Sequence, residues 1–295
     1  MGDIRSSILS LLALAQAESL PALSFADICA LLPSSAHEVA ALLMQLEKDG
    51  LIFSRNGWYA LAGAPDTDEI KKLGVLSSRK IMRNRAFFFL MQAIPFVEAS
   101  AITGSVSMRN AGEKSDIDIL CVVTQGRLWT SRILLLFLAE LFGKRRERGY
   151  SMDKLCFNCF VTKNTVFPFQ NIASAHMLAR AMPLFGSDSL EMFFKHNAWI
   201  EEYVSRSSLA PLSTPSRALR SISTATAWLL SGSAGNALER SLAQWQIRRL
   251  RNKAKNGTDT SGLVLRDDLV TLYYPDSKNK AVMARYTDII AKIDF

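Results

Sequence analysis

The sequence predicts an α/β (α+β) fold with a helical unit at its N-terminal end and a mostly helical C-terminal region. Three observations carry this. Apolar residues recur at helical spacing over residues 4–50 and close on a two-residue turn signal, Asn56-Gly57. Between residues 77 and 168 the pattern alternates as helix, strand, turn, strand, helix, strand. From about residue 169 onward helical spacing dominates again.

Composition sets the bounds. With 295 residues, 49% of them hydrophobic and 21% charged, the chain can build two or three domains and a sizeable core. Its 35 Lys and Arg against 27 Asp and Glu leave a formal net charge of +8. Such a balance suits anionic partners, or serves solubility alone. Of the four cysteines only Cys156 and Cys159 are close, as C-F-N-C in an apolar run. No second pair or histidine cluster accompanies them, so they read as buried free thiols. The start "MGDIRSSILS" lacks a signal-peptide pattern. The longest apolar run, "ILLLFLAELF" at 133–142, is too short to span a bilayer and contains Glu140. The expectation is a cytoplasmic protein without a membrane partner.

Taken in order, "IRSSILSLLALAQ" (4–16) reads as a first helix, and "SFADICALL" (24–32) as a second, capped by Ser24. "SSAHEVAALLMQLEKDG" (34–50) reads as a third, with a Ser35–Glu38 capping box and Gly50 as its stop. "LIFSRNGWYAL" (51–61) reads as a hairpin. Three helices and a hairpin over residues 1–62 resemble the winged helix-turn-helix of bacterial regulators. Its candidate reading helix carries Lys48 alone against Glu38, Glu47 and Asp49, with Arg55 in the wing, so DNA as a partner is weakly supported and a protein partner is the alternative. Residues 63–76 read as a linker. A basic helix follows at 77–94, then strands at 96–104 and 115–124, a long helix at 128–146 and a strand at 154–162. Residues 169–295 form the helical C-terminal region, clearest in "RALRSISTATAWLL" and "NALERSLAQWQIRRLRNKAK".

The chemistry lies in "TGSVSMRNAGEKSDIDILCVV" (103–123). Residues two apart on a strand share a face, so Asp116 and Asp118 project together while Ile117 and Ile119 enter the core. Paired carboxylates repel and resist desolvation, and cations remove that cost. Mg²⁺ (or Mn²⁺) prefers oxygen ligands, often carboxylates together with substrate phosphates. Gly104 permits a tight turn and close approach of backbone N–H groups to phosphate, and Ser105 adds a hydroxyl.

The pattern Gly-Ser, ten residues, Asp-Ile-Asp, between apolar strands, resembles the DNA polymerase β-like nucleotidyltransferase superfamily over roughly residues 77–165. The resemblance implies an α/β (α+β) nucleotidyltransferase fold with an N-terminal winged helix and a C-terminal helical region. It implies Gly104 and Ser105 on the triphosphate of an NTP substrate, and Asp116 and Asp118 on Mg²⁺. It implies transfer of an NMP to an acceptor hydroxyl, the acceptor being a small molecule, an RNA or a protein. A third carboxylate normally stands on the next strand. Here that strand is "KLCFNCFVT" and the matching position is Asn158, with Asp153 and Glu113 as alternatives if the register differs. A neutral amide is no general base, so an inactive nucleotide-binding module acting through the winged helix is the second expectation.

Arg109 and Lys114, between the turn and the aspartates, are candidates for neutralising triphosphate charge. Arg127 and Arg132 are candidates for facing the same cleft. "GKRRERG" (143–149) and "QIRRLRNKAK" (246–255) are basic clusters that suit helix C-termini or a phosphate backbone. His37, His176 and His196 form no zinc spacing and read as structural or surface residues. Trp199, Trp228 and Trp245 lie in amphipathic helices, where core packing is the expectation.

Overall fold

A computed structural model describes residues 3–63, 65–146, 152–206, 210–255, 263–272 and 276–293. The N-terminal unit runs α1 (Ile4–Ala17), β1 (Leu23–Ser24), α2 (Phe25–Leu31), α3 (Ala36–Lys48), β2 (Phe53–Arg55) and β3 (Trp58–Ala60). Ser24 with Asp27, and Ser35 with Glu38, form reciprocal capping boxes that satisfy the first free N–H groups of α2 and α3. Gly50 follows α3 at φ +73, and Asn56 and Gly57 turn the hairpin at φ +53 and +77. β1 pairs with β3, so the hairpin becomes a three-stranded antiparallel sheet of order β1-β3-β2. Ile8, Leu12, Ile28, Val39, Leu43 and Leu46 fill the space beneath it.

The helix expected from residue 77 begins much earlier, as α4 (Thr67–Leu90). Asp66 caps it, accepting from the N–H groups of Asp68 and Glu69. Gly74 lies inside it, at a cost of only about 1 kcal/mol. Residues 67–76, expected in a linker, are therefore helical.

Then come β4 (Val97–Thr103), α5 (Gly104–Ser107), β5 (Ile117–Val123), α6 (Leu128–Leu141) and β6 (Leu155–Val161). β4 and β5 pair antiparallel, while β5 and β6 pair parallel across the α6 crossover. The chain continues with α7 (Ile172–Ala179), β7 (Met182–Phe185), α8 (Ser187–Lys195), α9 (Arg217–Leu229), α10 (Gly232–Lys255), β8 (Leu263–Leu265), β9 (Leu269–Leu272) and α11 (Asp276–Ile290). Residues 256–262, the polar stretch "NGTDTSG", lie outside the described residues. The region expected to be mostly helical thus supplies three described strands, and the sheet order is β7-β4-β5-β6-β9-β8. These strands are three or four residues long, too short for a period to show. β7 tolerates Pro183 because it is an edge strand.

Each sheet face is covered. Ile117, Ile119, Cys121, Val123 and Phe160 pack with Phe87 and Phe88 of α4 and Leu135 of α6. Ala99, Ala101, Leu120, Val122 and Val161 pack with α7, α8 and the apolar residues of the N-terminal unit in one continuous cluster. Among the described residues no single helix is long and apolar enough to cross a membrane.

Two tryptophans depart from expectation. Trp199 is partly buried against the core, but Trp228 and Trp245 are exposed. The inward sides of their helices mix polar groups with apolar ones such as Leu242, Ile247 and Leu250. Ser223 donates to Ile94 O, and buried Glu239 and Gln246 of α10 bond to α6.

Candidate functional site

The site lies where β4, β5 and β6 end together. Asp118 is paired across the sheet with Thr103 on one side and with Cys156 on the other. It continues the side of β5 that holds Leu120 and Val122, but at the strand's first turn of pleat, where the apolar cover stops. Asp116 immediately precedes the strand, and both carboxylates are half-buried. Ile117 and Ile119 are fully buried on the opposite face, as the alternation requires.

Gly104 is held against this pair. Its φ is +68, and a Cβ built on it would lie 2.5 Å from Asp118 Oδ2. Both the left-handed backbone and the close approach demand glycine. Gly104 opens the one-turn helix α5, and half-buried Ser105 follows it.

Asn158 faces Asp118 from the neighbouring strand. Its Nδ2 donates to Asp118 Oδ1 at 2.6 Å. The β5–β6 register slips between Ile119↔Phe157 and Leu120↔Cys159, so Asn158 is the extra residue of a bulge. Asp153 is not in the site. It sits at φ +59 before the strand and binds Lys80 Nζ at 2.9 Å and Arg83 Nη1 at 2.7 Å. Burial raises its pKa, but these two cations outweigh burial and hold it below the usual aspartate range. Glu113 is exposed, and it is its backbone carbonyl that meets Lys80.

The cation candidates separate. Arg109 turns away at φ +57 and lines a cavity of about 510 Å³ together with Leu23, Trp58 and Arg180, among no residue of the aspartate cluster. Lys114 is exposed in the loop before Asp116. Arg127 lies over the Phe96 ring at 5.3 Å. Arg132 is buried, donates to Gln246 Oε1 at 2.6 Å, and has its pKa lowered to about 10 by burial and by other arginines. Neither of the last two serves the aspartates.

Two neighbours escaped the sequence reading. Arg146 Nη1 lies 2.7 Å from Asp116 Oδ2, as a charge pair without hydrogen-bond alignment, and 3.7 Å from Cys156 Sγ. Burial disfavours its charge, but Asp116 and Cys156 outweigh burial and raise its pKa. Cys156, read as a buried free thiol, is free and half-buried, and it stands at the site. Its Sγ and the carboxylate oxygens of Asp116 and Asp118 lie within 4.8 Å of one another. Burial, then the two carboxylates, push its pKa up to about 12, so the thiol is neutral near pH 7. Only the parallel register of β6 on β5 reveals either contact. "GKRRERG" gave no reason to single out Arg146 beyond its charge.

The donor set fits a hard divalent cation. Thr103 Oγ1 and Asn158 Oδ1 are buried oxygens without a hydrogen-bond partner, and Asp116 Oδ2 meets the Arg146 guanidinium but no aligned donor. Buried polar atoms normally find partners, and a cation satisfies oxygens of this kind. The residues that could hold it are Asp116, Asp118 and Asn158. Comparison with protein-family models, with curated proteins and with solved structures gives no match to this chain.

Proposed function

We propose that the protein is a divalent-metal-dependent nucleotidyltransferase of the DNA polymerase β-like type, with an N-terminal winged helix. The observation that carries this is the packing of Gly104 onto Asp118 at the end of β5, beside Asp116 and unpartnered buried oxygens. A glycine turn on one strand and two carboxylates on the next bring phosphate-binding backbone and cation-binding oxygen to one place.

In this reading Gly104 and Ser105 receive the triphosphate, and Asp116 and Asp118 are the metal ligands. Bound Mg²⁺ or Mn²⁺ would neutralise the phosphates and the developing pyrophosphate charge. Asn158 fixes the Asp118 carboxylate through its 2.6 Å bond. Arg146 neutralises Asp116 in the free protein and is within reach of an incoming phosphate once that pair opens. The acceptor oxygen forms a bond to the α-phosphorus, the bond to pyrophosphate breaks, and the hydroxyl proton leaves to solvent.

Asp116→Ala or Asp118→Ala should lower transfer by more than about a hundredfold without loss of fold. Wild-type turnover in either variant would sink the reading. The first test is calorimetric titration of each NTP with Mg²⁺ into wild type and into the Asp116→Ala/Asp118→Ala double variant. Binding confined to wild type supports the site, and absence of binding to wild type overturns it.

A second reading rests on Asn158, an amide where the resemblance implies a carboxylate. The domain then binds nucleotide without transferring it and acts through the winged helix on DNA or a protein. Asn158→Asp decides between them: a large gain in transfer favours the binding module, and unchanged transfer in an active wild type favours the enzyme.

A further inference from the structure

Helices α9 and α10 both leave large apolar side chains in water. Along α9 the half-buried residues are Leu219, Ser223, Thr226 and Ala227, while Ala218, Ile222, Ala225 and Leu229, spaced four, three and four apart, face water. No residue of α9 is buried. Along α10 Glu239, Leu242, Gln246, Ile247 and Leu250 face inward, yet Leu238 and Trp245 are still exposed. Trp228 is 77% exposed, Leu229 69%, Ile222 53% and Trp245 49%. The two helices are tied at their junction, where Gly235 packs so closely on the Leu230 carbonyl that no Cβ fits between them. An exposed apolar surface of this kind marks a place of interaction.

Charge tells what it meets. Arg217 to Lys255 holds eight Lys and Arg and one acid, Glu239, a net +7 out of the +8 of the whole chain. Glu239 is buried under α6, so no carboxylate of this segment offsets the cations at the surface. Arg249 stands over the Trp245 ring at 5.5 Å. Tryptophan and aliphatic side chains beside this excess of Arg match an interface of apolar acyl chains beneath anionic headgroups. A second copy of this face would bring like charges together. A nucleic acid would satisfy the cations but leave Ile222, Leu229 and Leu238 in water.

We propose that the outward side of α9 and α10 is a docking surface for an anionic lipid bilayer, on which the protein lies without crossing it. The surface is independent of the aspartate site and stands or falls separately from it.

The full chain is floated on a density gradient with vesicles of phosphatidylcholine alone, or of phosphatidylcholine and phosphatidylglycerol in equal parts. The protein is expected to float with the anionic vesicles and not with the neutral ones, and to be released in about 0.5 M salt. Trp228→Ser/Leu229→Ser should weaken binding by about tenfold or more with an unchanged far-ultraviolet circular dichroism spectrum. Arg248→Gln/Arg251→Gln provides a second variant that should weaken it as well. Failure to float with anionic vesicles, equal flotation with neutral ones, or full retention in both variants overturns the proposal. Polyuridylate binding that survives Trp228→Ser/Leu229→Ser, without vesicle binding, assigns the face to nucleic acid and overturns it too.

Discussion

Gly104 is the residue on which the candidate site turns. Any side chain there must adopt φ +68 and displace the Asp118 carboxylate. Gly104→Ala should cost about 1–2 kcal/mol of stability from the left-handed backbone, and it should also abolish nucleotide binding by moving Asp118. Thermal unfolding combined with calorimetric nucleotide titration separates the two effects, and unchanged nucleotide affinity would count against the site. The paired aspartates and the Gly-Ser turn were legible because a two-residue period and a glycine are local properties. Arg146 and Cys156 were not, since their place beside Asp116 depends on the lateral register of β6 on β5.

At the scale of elements, one buried lysine locks the aspartate loop. Lys80 of α4 is 3% exposed, and its ammonium donates to Glu113 O, Ser115 O and Asp153 Oδ1, each at 2.9 Å. It joins α4, the loop leading to Asp116 and the approach to β6. Lys80→Met should destabilise by about 3 kcal/mol, measured by urea unfolding, because it strands two carbonyls and leaves Asp153 to Arg83 alone. The pH dependence follows from the same cluster. The folded pKa of Asp153 is depressed. Its stabilisation is therefore present above the unfolded pKa, about 3.9, and is lost as pH falls through the lower folded value. Asp153→Asn should remove that acid-side loss, seen as a flatter stability profile below about pH 4. The helix containing Lys80 was legible only from residue 77. Its first turns over 67–76 resembled a linker because Pro65, Asp66, Thr67 and Gly74 are turn formers taken one at a time.

At the scale of the whole molecule, the N-terminal unit and the central sheet share a core. Ile8, Leu12 and Leu43 belong to the same apolar cluster as Ala99, Leu120 and Val161. Arg285 of α11 donates twice to Ala17 O at the end of α1, which clasps the C-terminal helix onto the first one. Heat should therefore unfold both parts in one cooperative transition, with calorimetric and van't Hoff enthalpies in agreement. Two resolved transitions in scanning calorimetry would show that the shared core does not couple them.

The sequence by itself determined the three N-terminal helices with the Ser24 and Ser35 caps, the Asn56-Gly57 hairpin, the alternation of the central region, and the sidedness of Asp116 and Asp118. Each of these is written in residues adjacent along the chain, where periodicity and capping act. Only the tertiary structure decided that β7, β8 and β9 extend the sheet, that a bulge sets Asn158 on Asp118, that Arg146 pairs with Asp116, and that α9 and α10 turn Trp228 and Trp245 to water. Those outcomes depend on which surfaces meet across long stretches of chain. The buried Glu239 carboxylate, bonded to the Trp129 and Thr130 amides, shares the inward face of α10 with Leu242, Ile247 and Leu250, a placement that only the packing of α10 on α6 decides.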